Sequence, residues 1–153
     1  EYNELKASID EKPPVISLYL KRIREEKIDE LCSICQKKII QGCDIILSTG
    51  KEHFNFTPED QLNITRLMNN LQLNKNTKIL YHSSGNKVTY YSESDFTKIY
   101  NEMNKHITYH TTYFNLLKNC IYNMYDPSEI KQISYGYRLT NPQDIQILKQ
   151  IRR

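Results

Sequence analysis

Apolar residues recur along this chain at two periods, and the switches between them mark out its elements. Between Val15 and Gln41, Leu20, Ile23, Ile28, Leu31, Cys35 and Ile39 fall mostly three or four apart, which predicts one long amphipathic helix, interrupted around Lys27. Gly42 stands where such a helix would stop. Residues 43–56 read as extended. Ile45, Ile46 and Leu47 run into a turn at Thr49-Gly50 and His53-Phe54-Asn55-Phe56 returns, predicting a short β-hairpin. Thr57 then serves as a cap, Pro58 suits the first helical position, and Glu59 and Asp60 face the positive end of a helix running to about Gln72. Its core-facing residues are Ile64, Leu67, Met68 and Leu71.

Beyond the polar loop Asn74–Thr77, the segments Lys78–Ser83 and Lys87–Tyr91 flank Gly85-Asn86, the clearest hairpin signal in the chain. Ser92-Glu93-Ser94-Asp95 opens the strongest helix. Along it Phe96, Ile99, Met103, Ile107, His110, Phe114, Leu117, Ile121 and Met124 step by three or four throughout, as core packing or a coiled-coil seam requires. Asp126-Pro127-Ser128-Glu129 caps a short helix through Gln132, Ser134–Leu139 reads as a small strand, and Pro142 separates a last amphipathic stretch from Asp144 to Ile151. The expected fold is α+β and predominantly helical, with three main helices and two small β-hairpins. Residues 1–14, broken off by Pro13-Pro14, are expected to be an upstream helical arm or linker, 15–139 the compact domain, and 140–153 a C-terminal amphipathic tail.

Composition narrows the function classes without naming one. With 39% hydrophobic and 25% charged residues the chain holds enough apolar material for a core, and no run reaches the roughly 18 apolar residues of a membrane span. Twelve Tyr, no Trp and the single alanine Ala7 suggest the codon bias of an AT-rich genome. A net charge of +3 is too mild to imply a nucleic-acid footprint. Lys21, Arg22 and Arg24 adjoin Glu25, Glu26, Asp29 and Glu30, and only the tail Lys149, Arg152, Arg153 is basic without acids. Glu1 in place of a methionine carries the expectation that the numbering begins inside a longer gene product or at its first ordered residue.

Four residues have metal-ligand spacing. Cys32 and Cys35 form a C-x-x-C, and His106 and His110 stand four apart on the strongest helix. Neither pair has a second pair at matching spacing, and Ile107 occupies the place of a zincin glutamate. Buried thiols and core or helix-interface histidines are the favoured reading, a metal site the alternative; no cofactor is expected. Cys43 and Cys120 stand alone, and cysteines in such helical contexts suggest a reducing compartment at synthesis. Tyr81-His82 and Tyr90-Tyr91, near Lys78 and Lys87, could stack on single-stranded nucleic acid, although packing against helices is favoured. Nucleophile elbows and phosphate-cradling glycine loops are absent, so no enzymatic activity is expected.

Five ordered segments carry a resemblance. Lys27–Cys32 through Ile39–Gly42 with CDIILSTGKEHFNF, then Phe54–Ile64 (FNFTPEDQLNI), Ile79–Gly85, Phe96–Ile121 and Asp126–Gly136 together resemble a domain of unknown function common in phages and prophages of Gram-positive bacteria. The likeness covers roughly residues 24–137. One departure is that relatives tend to be alanine-rich where Ser33, Ile34, Gln36 and Lys37 stand. The resemblance implies a structural part of a tail module: a scaffold or adaptor in the baseplate or tail-fibre assembly, located in the virion tail and, during assembly, in the host cytoplasm. Its expected partners are other tail, baseplate or fibre proteins or further copies of itself. The expected protein interface is Leu20, Ile23, Ile145, Leu148 and Ile151, on the terminal segments 1–23 and 138–153. The alternative is a small nucleic-acid-binding or regulatory module using the Tyr-rich hairpin and the basic tail.

Overall fold

A computed structural model describes residues 17–75 and 77–152. In chain order these form α1 (Leu18–Gln41), β1 (Cys43–Leu47), β2 (Gly50–Phe54), α2 (Pro58–Leu73), β3 (Ile79–Tyr81), β4 (Thr89–Tyr91), α3 (Glu93–Tyr122), α4 (Pro127–Gln132) and α5 (Pro142–Ile151). The class is α+β, predominantly helical, with two separate two-stranded antiparallel sheets, β1–β2 and β3–β4. The expected arm at 1–14 lies outside the described residues. No described helix is long and apolar enough to cross a membrane.

Local chemistry sets the helix ends. The Ser17 hydroxyl accepts from Leu20 N at 3.1 Å and starts α1. Thr57 and Asp60 exchange both bonds of a capping box, each at 3.0 Å, at the head of α2. Ser92 caps α3 through Asp95 N, and Asn141 caps α5 through Gln143 and Asp144. Gly42 stops α1 at φ 68°, its N–H donating to Ile39 O at 3.0 Å. Its missing side chain also admits β2, because a Cβ there would sit 1.7 Å from the Phe54 carbonyl oxygen. One step on, Phe56 N donates to Ile40 O at 3.0 Å, so the end of α1 is stitched to the strand that returns past it.

Two apolar cores share α3. Phe96, Ile99 and Met103 pack with Ile45, Leu47, Phe54, Phe56, Ile64, Met68 and Leu71 and with the hairpin residues Ile79, Tyr81 and Tyr91. Tyr113, Leu117 and Ile121 pack with Leu20, Ile23, Ile28 and Leu31 of α1 and with Ile130, Ile133 and Leu139. Burial of each such side chain contributes about 1.5–3 kcal/mol. Polar clamps join the layers. Buried Asp95 accepts from Ser48 N (3.0 Å) and Ser48 Oγ (2.6 Å), fixing the first hairpin turn on the head of α3. Buried Arg24 donates twice to the Met124 carbonyl, at 3.0 and 2.5 Å, and lies 4.9 Å over the Tyr125 ring, tying α1 to the end of α3.

The structure departs from the sequence reading in four places. The first hairpin pairs Leu47 with Gly50, so its turn is Ser48-Thr49 and Gly50 opens β2. The second pairs only three positions on each strand, Ile79–Tyr81 with Thr89–Tyr91, leaving residues 82–88 as a loop. Ser134–Leu139 is not a strand. The Tyr113 hydroxyl accepts from Gly136 N (3.0 Å) and donates to Tyr137 O (2.7 Å), and Tyr137 N turns back to Ser134 O, so the backbone at the segment's centre is engaged in a turn. Pro142 sits inside α5, at its first turn, and α5 packs on α3.

The Gly42 junction is directly testable. Gly42→Ala must place a Cβ on the Phe54 carbonyl as well as hold a positive φ, whereas Gly85→Ala, at φ 74° with open space around it, meets only the conformational cost. Urea denaturation should show Gly85→Ala losing about 1–2 kcal/mol and Gly42→Ala at least about 2 kcal/mol more. Equal losses would refute the close-approach account.

Candidate functional site

The polar stretch of α3 lies between its two cores. There the helix presents His106, Tyr109, His110 and Tyr113, and three other segments converge on it: the end of α1 with Cys35 and Lys38, the turn at 134–139, and α5 with Ile145, Leu148, Lys149 and Arg152. The space they enclose is an open groove of about 870 Å³.

Its floor is a hydrogen-bonded aromatic cluster. The Tyr135 ring stacks on His110 at 6.0 Å between centroids and meets Tyr113 edge-on at 5.0 Å. The Tyr135 hydroxyl and His110 Nδ1 share a hydrogen bond at 2.8 Å, and the Cys35 thiol donates to the His110 carbonyl at 3.4 Å. Burial holds His110 down to about 4, and the positive charges of His106, Lys38 and Arg152 push the same way. The imidazole is therefore neutral near pH 7. Burial likewise raises the Tyr135 phenol well above its ordinary value and raises the Cys35 thiol, which removes that thiol from the reactive class.

The rim is basic. Lys38, Arg138, Lys149 and Arg152 line the groove together with Tyr109 and Tyr137, and no carboxylate does. None of these four cations has a carboxylate within ion-pair distance among the described residues. The Arg152 guanidinium lies 4.2 Å over the Tyr109 ring.

Of the residues singled out from the sequence, Cys35 and His110 meet in this cluster. Cys32 does not join them: its sulfur accepts from Gln36 one turn on. The His106 and His110 rings stand 4.6 Å apart, but His106 Nε2 faces the Lys38 carbonyl at 2.9 Å and His110 Nδ1 is taken by Tyr135. No group of three or more His, Cys, Asp or Glu placed to hold a metal occurs among the described residues. Leu20 and Ile23, expected on a protein interface, are buried in the second core between α1 and α3, so they offer no outer face. Ile145 and Leu148 are half-buried against the same core, because α5 folds back on α3, and Ile151 is half-buried at the end of α5. In the Tyr-rich hairpin, Tyr81 and Tyr91 are buried, burial pushing each phenol up to about 12, and only Tyr90 is exposed. Sequence reasoning missed Tyr109, Tyr113, Tyr135, Tyr137, Lys38 and Arg138. The only signal for them was the spacing of Tyr109 from Tyr113 and of Tyr135 from Tyr137.

A second histidine is shifted in the opposite direction. His53 directs Nδ1 at Asp44 Oδ1 and Nε2 at the Gln41 carbonyl, both at 2.7 Å, bridging the first hairpin to the end of α1. The Asp44 hydrogen bond raises its pKa, and His53 in turn lowers that of Asp44.

Comparison with known proteins finds no matching family model, no similar curated protein and no similar solved structure.

The two histidines give opposite pH signatures. His110 has a folded pKa below its unfolded value. Its contribution is present above about pH 6.5 and is lost as pH falls toward about 4. Chemical denaturation at pH 7 and pH 4 should show the native chain losing about 2 kcal/mol more than His110→Gln, which keeps an acceptor for Tyr135. Identical losses would mean that the imidazole is not buried neutral. His53 has a raised folded pKa, so its contribution is present below about pH 6.5 and fades as pH rises through that raised value. His53→Gln should flatten the alkaline side of the stability curve. An unchanged alkaline limb would dismiss the bridge.

Proposed function

We propose that this chain is a structural component of a phage or phage-tail-like particle, a scaffold or adaptor in the baseplate or tail-fibre assembly that works through protein–protein contacts and carries out no chemistry. Its place would be the virion tail, reached through the host cytoplasm during assembly. The ordered resemblance of five sequence segments supplies the context.

The structural observation that supports the reading best is an apolar face on the second hairpin. Leu80 and Tyr90 are direct cross-strand partners pointing outward, 50% and 64% exposed. Beside them Leu67 and Leu71 of α2 complete a shallow groove of about 370 Å³. β3 and β4 pair only with each other among the described residues, so the sheet has open edges. An exposed apolar face on a short open sheet suits strand or helix addition by a partner protein. The partner would be another tail protein or a second copy.

Light scattering coupled to size-exclusion chromatography, together with mass spectrometry of purified particles, tests this. An oligomer or tight complex and presence in the particle are expected. Leu80→Asp with Tyr90→Ser should remove incorporation while the circular dichroism spectrum stays native. A monomer absent from particles would overturn the proposal.

A further inference from the structure

The groove on α3 is chemically unlike the rest of the surface. The chain is nearly balanced, with 21 Lys and Arg against 18 Asp and Glu, and the Lys and Arg ion pairs among the described residues join opposite charges within a helical turn or across a hairpin. Around the groove that alternation stops. Lys38, Arg138, Lys149 and Arg152 come from three separate parts of the chain and meet without a carboxylate among the lining residues. Unpaired cations repel one another, and an arrangement that keeps four together without an acid suits an anion.

The neutral part of the lining says which anion. It is aromatic: Tyr109, Tyr113, Tyr135 and His110 are engaged with one another or with Arg152, whereas the Tyr137 ring has no aromatic or cationic partner among the described residues and is 37% exposed at the rim. A free phenol ring beside cations offers a stacking surface next to a phosphate site, the pairing used for nucleic-acid units. No Asp, Glu, Asn or Gln lines the groove to satisfy the many hydroxyls of a sugar, which argues against a sugar phosphate. The volume, about 870 Å³, is within the range of small-molecule sites.

We propose that this groove binds a nucleotide unit, with its phosphate against Arg152, Lys149, Arg138 and Lys38 and its base stacked on Tyr137. The unit is either a free mononucleotide or part of a single strand. Arg152 lies over the Tyr109 ring and donates one N–H to the Tyr109 hydroxyl, contacts that hold the guanidinium in place while its remaining N–H groups are left for phosphate oxygens. Tyr137 is fixed through its backbone, whose carbonyl accepts from the Tyr113 hydroxyl, so its ring stays free to stack while its position is set. The site is independent of the Leu80–Tyr90 face, and neither proposal depends on the other.

Isothermal titration with dTMP, an oligothymidylate of eight residues, ribose 5-phosphate and inorganic phosphate, at about 50 mM and about 200 mM salt, tests it. The expected result is saturable binding of dTMP or the oligomer that weakens with salt. Inorganic phosphate and ribose 5-phosphate should bind at least about tenfold more weakly, reflecting the missing base. A tighter oligomer identifies a strand as the source, and equal affinity per nucleotide identifies the mononucleotide. Lys149→Gln with Arg152→Gln should lower affinity about tenfold or more, and Tyr137→Ala about tenfold with Tyr137→Phe retaining it, all with unchanged thermal melting. An NMR titration should also show the His110 pKa rising on saturation as the phosphate offsets the surrounding positive charge. No saturation by either nucleotide ligand at millimolar concentration, equal binding of inorganic phosphate or ribose 5-phosphate, or indifference to these substitutions would overturn the proposal.

Discussion

The structure depends on one constraint: a single 30-residue helix, α3, must supply the apolar face of two separate cores. Its stripe keeps to steps of three and four from Phe96 to Ile121, so one face serves both. The chain completes each end differently. Around Phe96, Ile99 and Met103 it wraps two hairpins and α2; around Tyr113, Leu117 and Ile121 it lays α1 and α4. Between them the stripe carries His110, a residue that interrupts apolar packing without breaking the helix. There the imidazole pairs with the Tyr135 phenol and the His110 carbonyl accepts from the Cys35 thiol, so the polar break is stabilised by hydrogen bonds as well as by packing.

That arrangement requires α1 to leave the helix pair before it reaches the first core. Gly42 makes the exit possible by ending α1 at a positive φ and letting the Phe54 carbonyl pass where any side chain would stand. His53 closes the same corner, reaching Asp44 and the Gln41 carbonyl together, and at the other end of the hairpin Ser48 anchors the turn through Asp95. The first hairpin is thus held by a backbone fit, a histidine bridge and a buried carboxylate. A two-stranded hairpin has little stability of its own, so these anchors determine its position.

Most of the fold was legible because its helices have strong ends and strict periods. Thr57 with Pro58 and Asp60, Ser92 with Asp95, and the α3 stripe each carry their signal within a few residues. The misreadings came where tertiary partners override local preference. Ser134–Leu139 has the composition of a strand, yet the Tyr113 hydroxyl takes its backbone groups from 20 or more residues away. The segment from 140 onward has the look of a free amphipathic tail, and its apolar side is used against α3. The groove was hidden for a related reason. Tyrosines at 109, 113, 135 and 137 are indistinguishable in the sequence from core aromatics, and Lys38 and Arg138 look like ordinary solvated charges until the fold brings them together.

The same geometry separates two kinds of surface. The hairpin face at Leu80 and Tyr90 belongs to elements of the first core, where outward apolar side chains flank an open-edged sheet. The groove belongs to the region between the cores and to α5, where cations gather over neutral aromatics. A protein partner on the first would bury apolar area, an interaction little affected by salt; an anion on the second would be screened by it. Neutral His110 sharpens this contrast. Protonating it would add a fifth positive charge to a cluster of four cations without ion pairs among the described residues, and burial, with Lys38 and Arg152 of that cluster pushing the same way, prevents that at neutral pH. A half-buried neutral imidazole beneath a charged rim therefore leaves the floor of the groove uncharged, while the attraction for an anion resides in side chains that solvent can reach.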